Sequence, residues 1–250
     1  MVESRIISDP ELRYLRHTPA GADYVSQITA QASDRRARTA FRNLVLRLAH
    51  PGAHLFDFGA GPGLDARFFA ERGFTISAYD VDPRMTQFFT DHCRDLLRDG
   101  RVTLAHGSYR RFLAGAVPPA GQRAQLVICN FAPLNLVDDL RPLFARFDAL
   151  TSARGQVLAS VLNPFYFREM RNRWWWRGMA QRWRGGELFL PGPQAPHYRR
   201  QLRHFRAASA PYFRLTGRFP DTAAPWDRGT GWLPAATARY LFLLFDKAPR

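Results

Sequence analysis

Segments with the apolar spacing of buried strands alternate along the chain with segments that have the apolar spacing of helices. Strand-like runs occupy residues 54–58, 74–79, 101–105, 125–130 and 156–162. Helical spacing marks the intervening segments 35–49, 64–72, 83–98 and 137–150, and Asp34 is predicted to cap the first of these helices. Repeated strand–helix alternation predicts an α/β fold with a mostly parallel sheet and helices on both faces.

The pattern changes after residue 162. Residues 163–210 are rich in aromatic and arginine side chains and are interrupted by glycine and proline. The segments 212–219 and 240–246 are strand-like runs that could pair antiparallel at the end of the sheet. The sequence therefore predicts a single domain over 1–250. Its predicted parts are N-terminal cap helices over 1–50, a core over 51–162, an insertion over 163–210 and a C-terminal strand pair over 211–250.

The turn after the first strand carries the most informative motif, Asp57-Phe58-Gly59-Ala60-Gly61-Pro62-Gly63. A glycine-rich turn between a buried strand and a helix lets a ligand approach the backbone closely. The dinucleotide fingerprint would require glycine at position 64, where this chain has leucine. The Asp57 carboxylate would repel a pyrophosphate but attract a ligand that bears an ammonium and a sulfonium group, and S-adenosylmethionine (SAM) has both.

A second acid follows the second strand. Asp80 lies 21 residues beyond Gly59, at the end of that strand, where a carboxylate can accept hydrogen bonds from both ribose hydroxyls. Val81, the next residue, is placed to offer an apolar face to an adenine ring. The glycine turn, its leading acid and the second acid together predict a SAM site.

The strings LFDFGAGPG and ISAYDVDPRM resemble the first two motifs of class I SAM-dependent methyltransferases. The resemblance covers about residues 35–162 and implies a Rossmann-like sheet of seven strands in the order 3-2-1-4-5-7-6, with strand 7 antiparallel. It implies that Asp57, Gly59, Gly61 and Gly63 line the methionine end of SAM and that Ala60 belongs to the same binding turn. It also implies that Asn130 lies beside the methionine moiety and that Asp80 holds the ribose. Where members of this family often have an acid that contacts adenine, the chain reads His106-Gly107-Ser108, and the Ser108 hydroxyl could hydrogen-bond adenine instead. Gln125 opens strand four where an aspartate is common.

The charge of the chain is concentrated in its second part. The net charge of +15 divides into 19 arginines against 16 acids over 1–150 and 17 basic residues against 5 acids over 151–250. Residues 165–218 alone carry 12 arginines, two acids and four tryptophans. We interpret this segment first as a cap whose aromatic side chains pack inward around an acceptor pocket, second as a contact with an anionic membrane through 165–185, and third as a nucleic-acid surface.

The predicted reaction is methyl transfer from SAM to a small, apolar or amphipathic acceptor, lipid-like or carrier-bound, on oxygen in preference to nitrogen or carbon. His197 and Tyr166 are candidate proton acceptors for a hydroxyl substrate. The alternatives are an RNA methyltransferase that uses the arginine- and tryptophan-rich insertion, and a non-catalytic SAM-binding protein.

Other patterns argue against several kinds of site. No histidine and carboxylate spacing indicates a metal, and Cys93 and Cys129 are too far apart in sequence to suggest a zinc site or a disulfide framework. Because no run of about 18 apolar residues and no signal-peptide core occur, the expected location is the cytoplasm, peripheral to the membrane where 165–185 contacts it. Asp65 and Asp82 are interpreted as solvated or capping residues, and Asn163-Pro164-Phe165-Tyr166 as a turn that leaves the sheet rather than a base-gripping motif.

Overall fold

The computed structural model describes residues 32–117, 122–184, 186–190, 197–221 and 237–249. Its strands are β1 His54–Phe58, β2 Thr75–Asp80, β3 Val102–His106, β4 Ala124–Cys129, β5 Thr151–Leu162, β6 Leu188–Leu190, β7 His197–Arg199, β8 Phe213–Pro220 and β9 Tyr240–Lys247. Seven of them form one sheet in the order β3-β2-β1-β4-β5-β9-β8, whereas β6 and β7 form a separate antiparallel pair. Within the described part of the large sheet, β9 runs antiparallel to both of its neighbours, β5 and β8, whereas the other neighbouring strands are parallel. The predicted strand order and the antiparallel strand are therefore confirmed.

The described helices are α1 Ala32–Leu48, α2 Leu64–Ala70, α3 Pro83–His92, α4 Arg94–Arg98, α5 Tyr109–Leu113, α6 Leu140–Leu150, α7 Arg173–Trp183 and α8 Leu202–Ser209, with 3₁₀ turns at Pro133–Asn135 and Phe167–Arg171. The prediction of one helix over 83–98 is wrong, because Cys93 leaves the helical conformation (φ −109°, ψ 19°) and separates α3 from α4. No helix in the described ranges is both long and apolar enough to cross a bilayer.

The prediction that Asp34 caps α1 is wrong. The helix begins at Ala32, so that Asp34 lies inside its first turn and is buried there. Its carboxylate lies 3.1 Å from the Arg239 guanidinium, which precedes β9. The acid therefore joins the N-terminal helix to the C-terminal strand pair instead of closing a helix end.

The sheet buries apolar side chains on both faces, as its strand pattern predicted. In β4, Leu126 and Ile128 point to the face covered by α1, α2 and α3, whereas Val127 and Cys129 point to the face covered by α5, α6 and α8. Successive strand residues alternate between the two faces, so a strand that is covered on both sides must be apolar at every position. This two-sided core fixes the carboxyl ends of β1, β2 and β4 next to one another.

Candidate active site

The glycine turn after β1 is held tightly between two neighbouring segments. Gly59 and Gly63 both have left-handed backbone angles (φ +71° and +81°). A Cβ atom at Gly59 would lie 2.8 Å from the Pro133 side chain, and one at Gly63 would lie 2.8 Å from Phe89. Because a side chain at either position would strain the backbone and collide with a neighbour, only glycine fits there. The turn therefore has a fixed shape that exposes its backbone to the adjoining cleft.

Asp80 closes one side of this turn. Its Oδ2 atom accepts a hydrogen bond from the Gly61 amide at 2.7 Å, and its Oδ1 atom accepts one from the Asp82 amide at 2.8 Å. Burial raises the pKa of Asp80 to about 6, although these two amide donors act in the opposite direction. Asp82 itself accepts a hydrogen bond from the Arg84 amide and caps α3, which confirms its interpretation as a capping residue.

Asp57 offers a buried acceptor atom at the base of the turn. The residue is 2% exposed, and among the described residues its Oδ2 atom has no hydrogen-bond partner. Burial raises the pKa of Asp57 well above its usual value, and the nearby charges of Asp65 and Asp80 add to this effect. An unpartnered buried carboxylate oxygen is costly unless a donor from a ligand reaches it. The Asp57 carboxyl is therefore available to accept a hydrogen bond from a donor group of a bound ligand.

Asp65 is the centre of a buried polar cluster, and its interpretation as a solvated or capping residue is wrong. Its carboxylate accepts hydrogen bonds from Arg38 Nη1 at 2.8 Å, Arg42 Nε at 2.6 Å and Asn130 Nδ2 at 2.8 Å. Burial alone would raise the pKa of Asp65, but Arg38 and Arg42 hold it below its usual value. Because Arg38 and Arg42 belong to α1 and Asp65 to α2, this cluster fixes the N-terminal helix to the glycine turn.

The segment that follows β4 is strained beside the same cleft. Phe131 and Ala132 have left-handed backbone angles (φ 59° and 65°), which residues other than glycine rarely adopt and which tend to occur at functional sites. The Asn130 side chain accepts a hydrogen bond from the Phe131 amide at 2.9 Å. The Phe131 ring lies 4.4 Å from the Arg38 guanidinium and 5.6 Å from the Tyr240 ring. Phe131 thus forms an aromatic wall above the polar floor of the cleft.

The cleft is bounded by residues from α1, the glycine turn, the start of α2 and the segment after β4. Its lining consists of Arg38, Asp57, Gly59, Ala60, Gly61, Pro62, Leu64, Asp65, Asn130 and Phe131. Three buried carboxylates, those of Asp57, Asp65 and Asp80, lie in or next to it, and only that of Asp65 is paired with arginines among the described residues. The site therefore favours a cationic ligand over a phosphate.

The insertion is attached directly to the segment after β4. The guanidinium of Arg200, which is 2% exposed, donates to the carbonyl oxygens of Leu134 at 3.0 Å and Val137 at 2.7 Å and to that of Asp138. Asn135 donates to the Tyr198 carbonyl oxygen and accepts from the Leu162 amide at 3.0 Å. The insertion is therefore held over the carboxyl ends of β4 and β5, beside the cleft.

A family model described as a methyltransferase domain matches residues 32–205 of the sequence. The chain belongs to this methyltransferase family. Its enzymatic class is that of the SAM-dependent methyltransferases, and SAM is its cofactor. The match includes α1, the whole glycine turn and most of the insertion, so the cleft described above is part of the family's domain.

Solved structures of similar fold come from the same class of enzyme. The 1,6-didemethyltoxoflavin-N1-methyltransferase of Burkholderia thailandensis, with bound 1,6-didemethyltoxoflavin and S-adenosylhomocysteine, is 19% identical with a TM-score of 0.58, over 91% of this chain and 87% of that one. The CcbJ methyltransferase of Streptomyces caelestis is 16% identical (TM-score 0.58, 86% and 90%), and the N-methyltransferase NodS of Bradyrhizobium japonicum is 13% identical (TM-score 0.54, 87% and 88%). No curated protein sequence matches the chain significantly. At these identities the structural likeness establishes the fold and leaves the acceptor open.

The structure places the predicted cofactor residues of this methyltransferase in two groups. Asp57, Gly59, Ala60, Gly61 and Asn130 line the cleft. Gly63 and Asp80 do not line the cleft but shape the turn from behind. Val81 is half-buried directly after β2. Ser108 lies two residues after β3, where its hydroxyl accepts a hydrogen bond from the Arg111 amide and caps α5. Sequence reasoning missed Arg38, Arg42 and the role of Asp65, and the only available signal was the spacing of two arginines one helical turn apart.

The candidate proton acceptors, His197 and Tyr166, are on the insertion side of the methyltransferase. His197 begins β7, and Tyr166 directly precedes the 3₁₀ turn Phe167–Arg171; both are half-buried. Neither belongs to the lining of the cleft given above. Asn163 is buried, donates to the Ala238 carbonyl and accepts from the Phe165 amide, so it forms a structural turn as interpreted.

We expect SAM to bind more tightly as the pH rises from 5 to 7. Since the pKa of Asp80 is about 6, its carboxyl is largely protonated at the lower pH and largely ionised at the higher one. The resemblance implies that Asp80 holds the ribose, and the ionised carboxylate would accept both hydroxyls and attract a cation. The affinity should then rise up to about tenfold, and binding at pH 5 should release close to one proton. Titration calorimetry in two buffers of different ionisation enthalpy measures both quantities. An affinity that is the same at pH 5 and pH 7 would contradict the assignment.

Proposed function

We propose that this methyltransferase transfers the methyl group of SAM to a hydroxyl oxygen of a small, apolar or amphipathic acceptor that carries an acidic group. The observation that carries the proposal is the composition of the wall above the cleft. Phe131 and Tyr240 form an aromatic pair there, the Arg38 guanidinium lies 4.4 Å from the first ring, and that of Arg239 lies 5.5 Å from the second. Such a wall suits an aromatic or acyl body together with a negative charge.

Each polar residue of the cleft has a proposed role toward the cofactor. SAM supplies a methyl group on a sulfonium, which a nucleophile can accept in a single displacement. We assign the ribose hydroxyls to Asp80, the ammonium group to Asp57, and the methionine moiety to Asn130, whose side chain is already oriented by Asp65. Gly59, Ala60 and Gly61, which line the cleft, would let the cofactor lie against the backbone of the turn. We assign Val81 and Ser108 to the adenine.

The insertion over 163–210 is proposed to cover the acceptor. Its link to the sheet runs through Arg200 and Asn135, which hold it over the strand ends where the cleft opens. Holding a nucleophile about 3 Å from the methyl carbon, in line with the breaking bond, supplies much of the acceleration of such a reaction. His197, with Tyr166 as the alternative, is proposed to accept the proton of the hydroxyl.

The proposal is tested by measuring S-adenosylhomocysteine formation with a panel of small phenols, hydroxy acids and amines, and with total RNA. We expect turnover with a hydroxylated aromatic or acyl acid. Replacing Phe131 by alanine should raise the acceptor KM about tenfold because the aromatic wall is lost. Replacing His197 by alanine should lower kcat about 100-fold, whereas the exposed His50→Ala control should have no effect.

Three outcomes would overturn parts of this proposal. Methylation of RNA alone would replace the small acceptor with a nucleic acid. Methylation of amines in preference to hydroxyls would remove the oxygen assignment, and two of the structural relatives are N-methyltransferases by name. A His197→Ala variant with unchanged kcat and an unchanged pH profile would exclude this residue as the proton acceptor.

A further inference from the structure

Large apolar side chains are exposed almost only on the insertion. Of the seven large hydrophobic residues that are exposed in the described part of the chain, six lie within 165–189. These six residues, here called the aromatic patch, are Phe165, Phe167, Met170, Trp176, Trp183 and Phe189. The seventh is Leu46, on α1. Single exposed apolar residues are common, but six in one short segment indicate a contact surface.

Helix α7 presents two distinct faces, although its consecutive tryptophans do not show them in the sequence. Trp175 is 7% exposed and Gly178 is buried, whereas Trp176 and Trp183 are 57% and 84% exposed. Residues seven positions apart lie on one side of a helix, so the two exposed indoles share a face. The interpretation of a cap with all its aromatics turned inward is therefore wrong for Trp176 and Trp183.

Hydrogen bonds connect the elements that carry the patch, from the 3₁₀ turn through the helix to the segment before β6. The Trp176 indole Nε1 donates to the Met170 carbonyl oxygen at 2.9 Å, which holds the 3₁₀ turn Phe167–Arg171 against α7. The Gln181 side chain donates to the Glu187 carbonyl oxygen at 2.7 Å, which ties the far end of α7 to the segment that leads into β6 and Phe189. These bonds place the exposed aromatic residues on connected elements.

The charges around the patch are cationic. Arg168, Arg171, Arg173 and Arg184 are exposed there. The two acids of the same segment are paired with more deeply buried arginines, Glu169 with Arg199 at 2.8 Å and Glu187 with Arg200 at 2.9 Å. The outward surface of 165–190 therefore combines apolar aromatic side chains with unopposed positive charge among its described residues.

We propose that the aromatic patch binds the surface of an anionic phospholipid bilayer. Tryptophan and phenylalanine side chains would enter the headgroup region, where amphipathic aromatic rings are favoured, and the arginines would contact lipid phosphates. A second copy of the chain fits this surface poorly, because a symmetric contact would bring the same arginines together. The proposal does not depend on the identity of the methyl acceptor.

Vesicle flotation provides the test, with the full-length protein in 0.1 M salt. Vesicles of phosphatidylglycerol and phosphatidylcholine in equal parts should bind the protein, and pure phosphatidylcholine should bind it far less. Replacing Arg168, Arg171 and Arg173 together by glutamine should weaken binding about 100-fold, since each basic residue contributes about fivefold. The control replaces three exposed arginines elsewhere, Arg36, Arg47 and Arg98, and should weaken binding far less.

The apolar part of the surface is tested separately. The double variant Trp176→Ser, Trp183→Ser should lose at least about tenfold in vesicle partitioning, whereas Leu46→Ser should behave as the wild type. The SAM affinity of all variants should stay unchanged. This result would show that the variants are folded and that any loss of vesicle binding does not come from a change at the cofactor site.

Four results would overturn the proposal. The first is an absence of binding to the anionic vesicles, and the second is an equal loss in the two arginine triple variants. The third is binding of poly(U) RNA that requires Trp176 and Trp183 while the vesicles are not bound, which would assign the patch to nucleic acid. The fourth is a dimer in sedimentation that the double tryptophan variant dissociates.

Discussion

Replacing Asp80 by alanine is expected to weaken SAM binding by about 100- to 1000-fold. The change removes the carboxylate assigned to both ribose hydroxyls, and hydrogen bonds to a charged group contribute about 1.5–3 kcal/mol each. It also removes the acceptor of the Gly61 amide, whose 2.7 Å bond to Asp80 holds the middle of the glycine turn. Calorimetric titration with SAM at pH 7.5 measures the loss directly.

The fold should survive this change, for a reason that follows from the sign of the pKa shift. The pKa of Asp80 is raised to about 6 in the folded protein, so its stabilising contribution is present in acid and is lost as the pH rises through 6. At neutral pH the buried ionised carboxylate therefore opposes folding, and its removal compensates in part for the two lost amide contacts.

The matched control is Asp99→Ala. Asp99 is an exposed acid that pairs with Arg101 at the surface, with a side chain 53% exposed, so its removal should leave the SAM affinity and the fold unchanged. An Asp80→Ala variant that binds SAM as tightly as this control would remove Asp80 from the cofactor site.

The positions of the two key acids could be predicted from the sequence because they depend on strand order alone. Asp57 belongs to β1 and Asp80 ends β2, and parallel strands that are neighbours in a sheet bring their carboxyl ends together. A short apolar run identified the first strand, alternation of apolar positions identified the second, and the glycine-rich turn marked the end of the first. Local spacing was sufficient for this half of the site.

The partners of Asp65 could not be predicted in the same way. Arg38 and Arg42 lie 27 and 23 residues before it, and Asn130 lies 65 residues after it. Their meeting depends on how α1 packs on the sheet, which the helical spacing of α1 does not determine. The left-handed backbone angles of Phe131 and Ala132 could not be predicted from the sequence either, because both residue types normally avoid that conformation.

The orientation of the tryptophans on α7 shows the same limit for the insertion. A run of three tryptophans covers more than half of a helical wheel, so the pattern favours no face. In the structure Trp175 is buried and Trp176 is exposed, and the Trp176 indole donates a hydrogen bond to the Met170 carbonyl of the preceding turn. Tertiary contacts, rather than periodicity, decide which aromatic residues reach solvent.

Replacing Asp65 by alanine is expected to lower the free energy of unfolding by about 3–5 kcal/mol. The change would remove the carboxylate that Arg38 and Arg42 share. Because the side chains of these arginines are only 13% and 19% exposed, their guanidinium groups would stay largely buried without it. Breaking one side of a buried ion pair costs this much because the remaining charge is desolvated without compensation. Urea unfolding at pH 7 measures the difference.

The pH dependence distinguishes this loss from simple disruption of packing. Because the pKa of Asp65 is held below its usual value, its contribution to stability is complete above about pH 4 and is lost as the pH falls through the lowered pKa. Wild type and the alanine variant should therefore approach each other in stability as the solution is acidified, whereas a packing defect would persist at every pH.

Two further variants show that the effect comes from the buried charges. Asp95→Ala breaks a salt bridge to Arg67 whose acidic side chain is 57% exposed, and it should leave the free energy of unfolding nearly unchanged. Adding Arg42→Met to Asp65→Ala should recover part of the stability, since it removes one of the two stranded cations while keeping a long apolar side chain. A loss below 1 kcal/mol for Asp65→Ala would show that α1 is held to the cofactor turn by its apolar contacts instead of this cluster.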